Sequence, residues 1–315
     1  MQTILITGGS GFLGQNLALR LKNDFKVVLG SRNNKRNFIT KNLTGCEVVP
    51  LDVCRPESIK DALQEIKPQI IIHAAATKFV DLSEIYPMEC VDVNVLGSQN
   101  VARAAIEAGV ELVVGISTDK ASPPVRNTYG MSKSIMERVF CSLGNKNLDT
   151  NFISVRYGNV AWSTGSAMPV WKKMHDEAKV IGSTGPDMRR YFFTVEEAVE
   201  LVVSAIENAD MLRGKILSRP MKAAMIRDIL NVWVSEFGGS WKKIDGRPGE
   251  RDDEYLVGEA EIPYTKKIEI DDKIFYVIDP SAKSDDCVSD IVYTGNATSL
   301  NRDEILKLIT ATYET

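Results

Sequence analysis

The first half of the chain alternates short apolar runs with amphipathic stretches. The apolar runs are rich in β-branched residues, as in TILIT from Thr3 and QIIIHAAA from Gln69, and patterns of helical spacing such as FLGQNLALRLKN lie between them. Runs without polar alternation indicate strands that are buried on both faces, which is typical of a parallel sheet covered by helices. The pattern predicts a doubly wound parallel α/β sheet, the Rossmann fold, over residues 1–160.

The alternation of apolar runs and amphipathic stretches becomes less regular after residue 160. Helical patterns occur in AMPVWKKMHDEAK, VEEAVELVVSAIENA and AMIRDILNVWVSEFG, a hairpin-like pair TKKIEI-DD-KIFYVI follows, and NRDEILKLITATY predicts a final helix. Residues 161–315 are expected to form mainly a smaller mixed α/β lobe that closes over the carboxyl ends of the strands. Segments around 190–220 are expected to pack back on the first domain.

Composition narrows the class of protein. A net charge of -4 over 315 residues offers no basic stripe for nucleic acid. No run approaches the ~20 apolar residues of a membrane span, and the start MQTILIT lacks the features of a signal peptide, so we expect a cytoplasmic protein without a membrane partner.

The histidine and cysteine content limits the chemistry. The five cysteines show no C-x-x-C spacing, which indicates reduced thiols. With only His73 and His175 present, a histidine triad or a histidine-ligated metal is disfavoured, and we expect no metal site. Another type of residue must therefore act as the base, and His73 is expected to be structural.

A glycine-rich turn lies between the first predicted strand and the first predicted helix. Glycine permits a tight turn and the close approach of backbone to a pyrophosphate, which the helix N-terminus then stabilises. Ordinary turns also use glycine, so it is the strand before and the helix after that favour a dinucleotide site. The predicted cofactor contacts in this turn are Gly8, Ser10, Gly11, Phe12, Leu13 and Gly14.

The end of the second predicted strand indicates which dinucleotide binds. A site that prefers NAD has an acidic residue here for the ribose hydroxyl, whereas KVVLGSRNNKR supplies Ser31 and Arg32. Arg32 is suited to pair with a 2'-phosphate, so the sequence predicts NADP rather than NAD; the alternative is a solvated basic turn. Asp52, next to the adenine edge, completes the predicted cofactor site with Val53, Ala74, Ala75 and Ala76.

The stretch ISTDKASPPVRNTYGMSK follows the apolar run LVVGI. Tyr129 and Lys133 are four residues apart on a predicted helix and share one face. A neighbouring ammonium group is expected to lower the pKa of the Tyr129 phenol and make it a base. A Tyr-x-x-x-Lys pattern alone usually marks a solvated helix face, but its combination with the glycine-rich turn and with Ser117-Thr118 is specific.

With these motifs the chain resembles the extended short-chain dehydrogenase/reductase superfamily and, within it, the nucleotide-sugar 4,6-dehydratases of polysaccharide biosynthesis. It is most similar to soluble UDP-N-acetylglucosamine 4,6-dehydratases, including those that invert C5. The resemblance covers nearly the whole chain. Its motifs are TGGSGFLG, SR at 31–32, HAAATK at 73–78, NVLGSQNV at 94–101, STDKA at 117–121, YGMSK at 129–133, VRYGNV at 155–160, GRPGER at 246–251 and the final SLNRDEILKLI.

The resemblance implies a catalytic role for each residue of the STDK and YGMSK motifs. Tyr129 takes the proton from the sugar O4, Thr118 hydrogen-bonds O4, and Lys133 holds the phenolate and the nicotinamide ribose. Lys120 is the base at C5 and Asp119 is the acid that releases water from C6. A simpler interpretation of STDK is a strand-end turn in which Asp119 caps the next element.

The resemblance also implies how a nucleotide sugar binds. Arg190 and Arg247 clamp the diphosphate, Glu250 lies near the nucleoside ribose, and Lys78 and Asn159 face the hexose and its acetamido group. The alternative is that these side chains are polar or charged surface groups that bind no ligand. Arg189 is an alternative to Arg190 as the arginine of the clamp.

Four residues depart from the motifs of the family. They are Phe79, Trp162, Thr164 and Asp253, where histidine, glycine, arginine and histidine are common, so a substrate other than UDP-N-acetylglucosamine stays possible. The loop between Asp119 and Tyr129 is also one residue longer than the usual spacing.

The resemblance implies a homodimer or higher homo-oligomer, formed by the helices of MECVDVNVLGSQNVARAAIEAG and YGMSKSIMERVFCSL, although both helices can instead be buried against the sheet.

Two alternative functions remain. In a nucleotide-sugar 4-epimerase or reductase of the same fold, Asp119 and Lys120 would be idle. A non-catalytic NADP-sensing protein would need neither these residues nor Tyr129 and Lys133.

Overall fold

The computed structural model describes residues 1–146 and 149–311. The strands of the first half are β1 (Thr3–Thr7), β2 (Lys26–Ser31), β3 (Glu47–Pro50), β4 (Ile70–His73), β5 (Leu112–Ile116), β6 (Asn151–Val155) and β7 (Asn159–Val160). Those of the second half are β8 (Val180–Ser183), β9 (Arg189–Phe193), β10 (Ile216–Ser218), β11 (Ala223–Met225), β12 (Ser240–Lys243), β13 (Tyr255–Val257), β14 (Thr265–Ile270), β15 (Lys273–Ile278) and β16 (Val292–Tyr293).

The helices connect these strands. They are α1 (Phe12–Leu21), α2 (Asn34–Thr44), α3 (Pro56–Ile66), α4 (Val80–Ile85), α5 (Pro87–Cys90), α6 (Gly97–Glu107), α7 (Thr128–Gly144), α8 (Ala167–Ala178), α9 (Val195–Glu207), α10 (Ile226–Phe237) and α11 (Arg302–Thr310). A π-helical segment, Val91–Leu96, leads into α6, and 3-10 turns occupy Asp119–Ala121 and Glu259–Tyr264. The last two residues of the predicted final helix, 312 and 313, lie outside the described residues.

A nine-stranded sheet in the order β14-β15-β10-β6-β5-β4-β1-β2-β3 forms the centre of the molecule. The seven neighbouring strands from β10 to β3 in this sheet are parallel to one another. Every residue of β4, β5 and β6 is buried. One core lies between the sheet and α1 and α9, and a second lies under α3, α6 and α7. The predicted doubly wound α/β fold is confirmed. The chain changes direction across the sheet between β1 and β4, which opens a crevice at their carboxyl ends.

The second half of the chain contributes to two regions. A third core joins α8, α10 and α11 to the small sheets β11-β9-β7 and β12-β8. The predicted hairpin forms as β14 and β15, but β15 pairs with β10 at the edge of the large sheet. The hairpin therefore extends the large sheet, and Phe275 and Val277 bury their side chains in the main core. The boundary near residue 160 stays a prediction. No helix in the described part of the chain is long and apolar enough to cross a membrane.

Candidate active site

A cavity of about 1250 Å³ opens at the carboxyl ends of the parallel strands. Most residues predicted for the site line it. On the cofactor side these are Gly8, Ser10, Gly11, Phe12, Leu13, Gly14, Ser31, Arg32, Asp52, Val53, Ala74, Ala75 and Ala76. On the reaction and substrate side they are Lys78, Thr118, Lys120, Tyr129, Lys133, Asn159, Arg190, Arg247 and Glu250. Asp119 is fully buried and lies behind this wall rather than on it.

The glycine-rich turn is closed to side chains. Gly8 has φ of 69°, and a Cβ added to it would lie 2.8 Å from Ala75 Cα. A Cβ on Gly14 would lie 2.7 Å from Gly9 Cα. Gly11, the N-cap of α1, leaves the first amides of the helix without a side-chain cap. Backbone N–H groups therefore face an open cavity, which suits a pyrophosphate.

The end of β2 presents positive charge to the same cavity. Ser31 hydrogen-bonds Ser10 and Asn37, and the Arg32 guanidinium is exposed at 3.9 Å from Glu89. Arg36, in the first turn of α2, also lines the cavity. The sequence analysis did not assign Arg36, although it belongs to the same basic stretch, SRNNKR.

Helix α7 begins at the floor of the cavity. The Asn127 side chain caps it by accepting the Gly130 N–H at 2.7 Å, and it donates to the Gly249 carbonyl at 3.2 Å. This cap fixes the first turns of α7, so Tyr129 and Lys133 both face the cavity.

The expected lowering of the Tyr129 pKa is wrong. Burial and the charge of Asp119 raise the pKa of Tyr129 instead, and the Thr118 hydroxyl opposes this only in part. Burial also lowers the pKa of Lys133 to about 8, and its Nζ lies 3.6 Å from Met136 Sδ. Loss of solvent around the phenol and the nearby carboxylate therefore set the direction of the pKa shift.

Asp119 and Lys120 form a hydrogen-bonded pair at the end of β5. Asp119 Oδ1 accepts from Thr118 Oγ1 at 2.9 Å and from Lys120 Nζ at 3.0 Å, while Oδ2 has no hydrogen-bond partner among the described residues. Burial raises the pKa of Asp119, and the charge of Glu254 adds to this against the opposing effect of Lys120. Asn159 Oδ1, 3.3 Å from Lys120 Nζ, completes the contacts on the sugar side.

Glu254 is a site residue that the sequence analysis missed. Its Oε1 lies 3.3 Å from Lys120 Nζ and 3.8 Å from Arg190 Nε, and its Oε2 accepts from Arg251 Nε at 2.5 Å. Burial alone would raise the pKa of this carboxyl group, but the three cations hold it below the ordinary value. The acidic run DDE at 252–254 gave no signal that separates Glu254 from its neighbours, because the distinction depends on the tertiary contacts.

Arg189 and Arg190 point to different surroundings. Arg189 forms a bidentate pair with Asp253, at 2.7 and 3.0 Å. Arg190 lines the cavity next to Glu254. The unusual Asp253 is therefore the partner of Arg189, and Arg190 is the arginine available to a ligand.

The far side of the cavity is polar. Glu250 accepts from Thr184 Oγ1 at 2.8 Å and from the Arg247 backbone N–H at 3.0 Å. A smaller cavity of about 190 Å³ shares these residues and continues toward α8 and β8. Lys78 is exposed on the main cavity, and the protein atoms around its ammonium group lower its pKa to about 8 by partial desolvation.

Three of the four departures from the family motifs, Phe79, Trp162 and Thr164, lie around one loop. A Cβ added to Gly165 would lie 2.4 Å from the Phe79 ring, so the two residues are in direct contact. Trp162, with φ of 59°, is buried and donates from Nε1 to the Leu308 carbonyl at 2.8 Å. Thr164 lines the cavity between them. Phe79 and Thr164 therefore give the sugar side of the cavity a neutral, partly aromatic surface.

Comparison with known proteins agrees with this geometry. The model of the family described as polysaccharide biosynthesis protein matches residues 4–277. The chain belongs to this family. It is 33% identical over 291 residues to a UDP-N-acetylglucosamine 4,6-dehydratase (inverting) of Campylobacter jejuni, which covers 90% of this chain and 84% of the relative. The predicted resemblance to this group is confirmed.

Two further comparisons set its limits. A UDP-glucose 4-epimerase of Rickettsia bellii is 34% identical over 274 residues, covering 83% of this chain and 79% of the relative. The crystal structure of Pen from Bacillus thuringiensis superimposes with a TM-score of 0.89 and 27% identity, covering 98% of this chain and 96% of that chain. Family membership alone therefore does not separate a dehydratase from an epimerase, and the site must do so.

Proposed function

We propose that the protein is an NADP-dependent nucleotide-sugar 4,6-dehydratase that acts on UDP-N-acetylglucosamine. The observation that carries the proposal is the Asp119–Lys120 pair, in which Lys120 Nζ lies 3.0 Å from Asp119 Oδ1. Lys120 lines the same cavity as Tyr129. Hydride and proton exchange at C4 needs no such pair, whereas elimination of water across C5 and C6 needs an acid and a base.

The residues present fit a nicotinamide dinucleotide. Gly8 and Gly14 leave room that a Cβ would fill, and the N-terminus of α1 supplies N–H groups for the pyrophosphate. Arg32 and Arg36 supply the positive charge that favours a 2'-phosphate. When bound, the cofactor supplies reversible oxidation of the sugar.

Tyr129 is the proposed base at O4. Its raised pKa keeps the phenol protonated in the free protein, so it becomes a base only where positive charge offsets the cost of burial. Lys133 lies one helical turn further along α7 and carries a charge below a pH of about 8. Thr118 orients the phenol and O4 from the end of β5.

The elimination is assigned to the acid–base pair. Moving one proton from Lys120 Nζ to Asp119 Oδ1 along their hydrogen bond leaves a neutral amine and a neutral carboxylic acid. The amine then removes the C5 proton, and the proton held by Asp119 is relayed through Lys120 to the leaving C6 hydroxyl, which departs as water. Asp119 is suited to hold that proton because burial disfavours its charged form.

Four charged residues are proposed to hold the nucleotide sugar. Arg190 and Arg247 bind the diphosphate, Glu250 binds the ribose, and Lys78 faces the hexose with Asn159. The smaller cavity next to Arg247 and Glu250 gives room for the nucleobase of the substrate.

We also propose a homo-oligomer in the cytoplasm. Large apolar side chains of α4, the π-helical segment and α7 are exposed, which supports burial against a second copy; they are Leu82, Ile85, Val91, Leu96, Met131 and Ile135. The five cysteines are free thiols, which fits a reducing compartment. Sedimentation velocity tests the assembly: a monomer at micromolar concentration would contradict it.

The function is tested by incubating UDP-N-acetylglucosamine with the protein and NADP+ in deuterated water, followed by mass spectrometry and proton NMR. A 4,6-dehydratase gives a product that has lost one water and carries one deuterium at C5; the same reaction in ordinary water reports the configuration at C5. Tyr129→Phe is the matched control and should bind NADP+ without forming product.

Other outcomes identify the alternatives. A C4 epimer without loss of water indicates an epimerase, and a dehydrated product with olefinic protons and no deuterium indicates that the reaction stops at the 5,6-alkene. If NADP+ binds and a panel of nucleotide sugars stays unchanged, the protein is a sensor.

A further inference from the structure

A buried chain of hydrogen bonds passes through His73. Thr7 Oγ1 lies 2.8 Å from His73 Nδ1, and His73 Nε2 lies 3.0 Å from Ser98 Oγ. Ser98 Oγ donates to the Asn94 backbone carbonyl at 2.5 Å. The four residues are at most 1% exposed, so these polar groups depend on one another for hydrogen bonds.

The donors and acceptors fix the direction of the chain. The Ser98 hydroxyl proton is used for the Asn94 carbonyl, so only a lone pair of Ser98 Oγ faces His73. His73 Nε2 must therefore carry the hydrogen, and the bare Nδ1 accepts the Thr7 hydroxyl. Burial and then the charge of Lys133 lower the pKa of His73 to about 3, so the ring is neutral. A single tautomer satisfies every partner.

Asn94 extends the chain to the reaction side. Its Oδ1 accepts the Thr77 N–H at 2.9 Å, and its Nδ2 donates to Ser132 Oγ at 2.9 Å. Ser132 Oγ in turn donates to the Tyr129 carbonyl at 2.7 Å. The π-helical segment that carries Asn94 is thereby fixed both to the residues before Lys78 and to the first turn of α7.

The other end of the chain reaches the glycine-rich turn. Thr7 Oγ1 accepts the Ala75 N–H at 3.3 Å, and Thr7 directly precedes Gly8. Gly8 and Ala75 face each other so closely that a Cβ on Gly8 would lie 2.8 Å from Ala75 Cα. The spacing between these two walls of the cavity therefore depends on the bonds made by Thr7.

We propose that His73 is a positioning residue: as the Nε2–H tautomer it joins the turn after β1 to the π-helical segment and so sets the shape of the dinucleotide cradle and the seat of Tyr129. No proton moves in this role. The inference goes beyond the proposed function, and it is tested by spectroscopy and binding without turnover, so either can fail alone.

The tautomer is tested by imidazole ¹⁵N NMR of the whole protein. The chain has two histidines, so the spectrum of His175→Gln assigns the His73 signals. We expect a neutral Nε2–H ring throughout the range from pH 5 to 8. A neutral Nδ1–H ring, or an imidazolium at pH 6, would overturn the proposal.

The positioning role is tested by a matched pair of variants at Thr7. Thr7→Val keeps the shape but removes the hydroxyl donor, and Thr7→Ser restores it. We expect Thr7→Val to weaken NADP+ binding by roughly tenfold in calorimetry and to shift the ¹⁵N resonance of His73 Nδ1, because this buried nitrogen loses its hydrogen-bond donor while Ser98 keeps the ring in the Nε2–H form. Thr7→Ser should recover both. Wild-type affinity and an unchanged Nδ1 resonance in a folded Thr7→Val would contradict the inference.

Discussion

Lys120 Nζ and Asp119 Oδ1 lie 3.0 Å apart, although the Lys120 side chain is 12% exposed and that of Asp119 is 0% exposed. The pair thus has one member on the cavity wall and one behind it. An acid that is sealed from solvent keeps its proton more readily than an exposed one, and the lysine gives it a path to the cavity. This arrangement divides the two proton transfers of an elimination between adjacent residues.

Asp119→Asn should slow elimination by about 100-fold or more, the range for loss of a general acid, while oxidation at C4 changes little. The amide keeps the hydrogen bonds of the site but supplies no acidic proton. Stopped-flow nicotinamide absorbance measures the oxidation, and quenched samples analysed by mass spectrometry measure the loss of water. Equal slowing of both steps would show that Asp119 only orients the substrate.

The pH dependence follows from the direction of the same pKa. Because burial raises the pKa of Asp119, its acidic form persists to a higher pH than in an ordinary aspartic acid. Elimination needs the one proton that Asp119 and Lys120 share, so wild-type kcat should fall as pH rises to the point where the pair loses this proton, and the residual activity of Asp119→Asn should lack this fall. A fall of the same shape in the variant would assign it to another group, with Lys133 as the first candidate.

Glu254→Gln should lower kcat by about 10-fold or more, because it removes the charge that holds Lys120 and Arg190 in one place. Asp253→Asn is the matched control, since Asp253 pairs with Arg189 outside the cavity. Steady-state kinetics of both variants, with circular dichroism to confirm folding, make the comparison. Similar losses in the two variants would mean that the segment, rather than the Glu254 carboxylate, matters.

The sequence predicted what depends on local patterns. The glycine-rich turn, the buried strands and the Tyr129–Lys133 pair are each recognised from a few neighbouring residues. In the structure, the turn, Tyr129 and Lys133 line one cavity. Glu254 was missed because it reaches Lys120 from a distant segment. The pattern predicted the hairpin but not its partner strand, because the pairing of β15 with β10 is a long-range contact. Buried Arg156 illustrates the same point: it pairs with Glu137 and with Glu261, 105 residues away.

The predicted direction of the Tyr129 pKa shift was wrong for a different reason. Helical spacing shows that a lysine is near the phenol, and this alone favours the phenolate. Desolvation depends on how completely the fold covers the ring, which spacing does not reveal. The sign of a pKa shift in a closed site therefore requires the tertiary structure.

Arg32→Ala and Arg36→Ala should each weaken binding of NADP+ by about 10-fold and leave binding of NAD+ nearly unchanged. Both residues line the cavity at the end of β2, and in the proposed NADP site they pair with the 2'-phosphate that NAD+ lacks. Calorimetric titration of each variant with both dinucleotides measures the two affinities. A parallel loss for both dinucleotides would place the arginines on the shared pyrophosphate, and no loss for either would make this a solvated basic turn.

Lys133→Met should stabilise the free protein at pH 7 while abolishing activity. Burial lowers the pKa of Lys133 from 10.5 to about 8, so the folded protein binds this proton less tightly than the unfolded chain does. The resulting cost is on the order of 3 kcal/mol at pH 7, and it shrinks as pH rises from about 8 to 10.5, where both states lose the proton. The advantage of the variant in urea unfolding should therefore decrease between pH 7 and pH 9.5.

Exposed Lys172, which pairs with Asp176 at 2.6 Å, provides the control for this prediction. Lys172→Met removes a lysine of the same size from the surface of α8 and should show no advantage that depends on pH, because the solvated ammonium pays no burial cost. If Lys133→Met is less stable than wild type at pH 7 by a margin that does not change with pH, then packing around the ammonium outweighs its desolvation. In that case Lys133 contributes to the stability of α7 as well as to the chemistry.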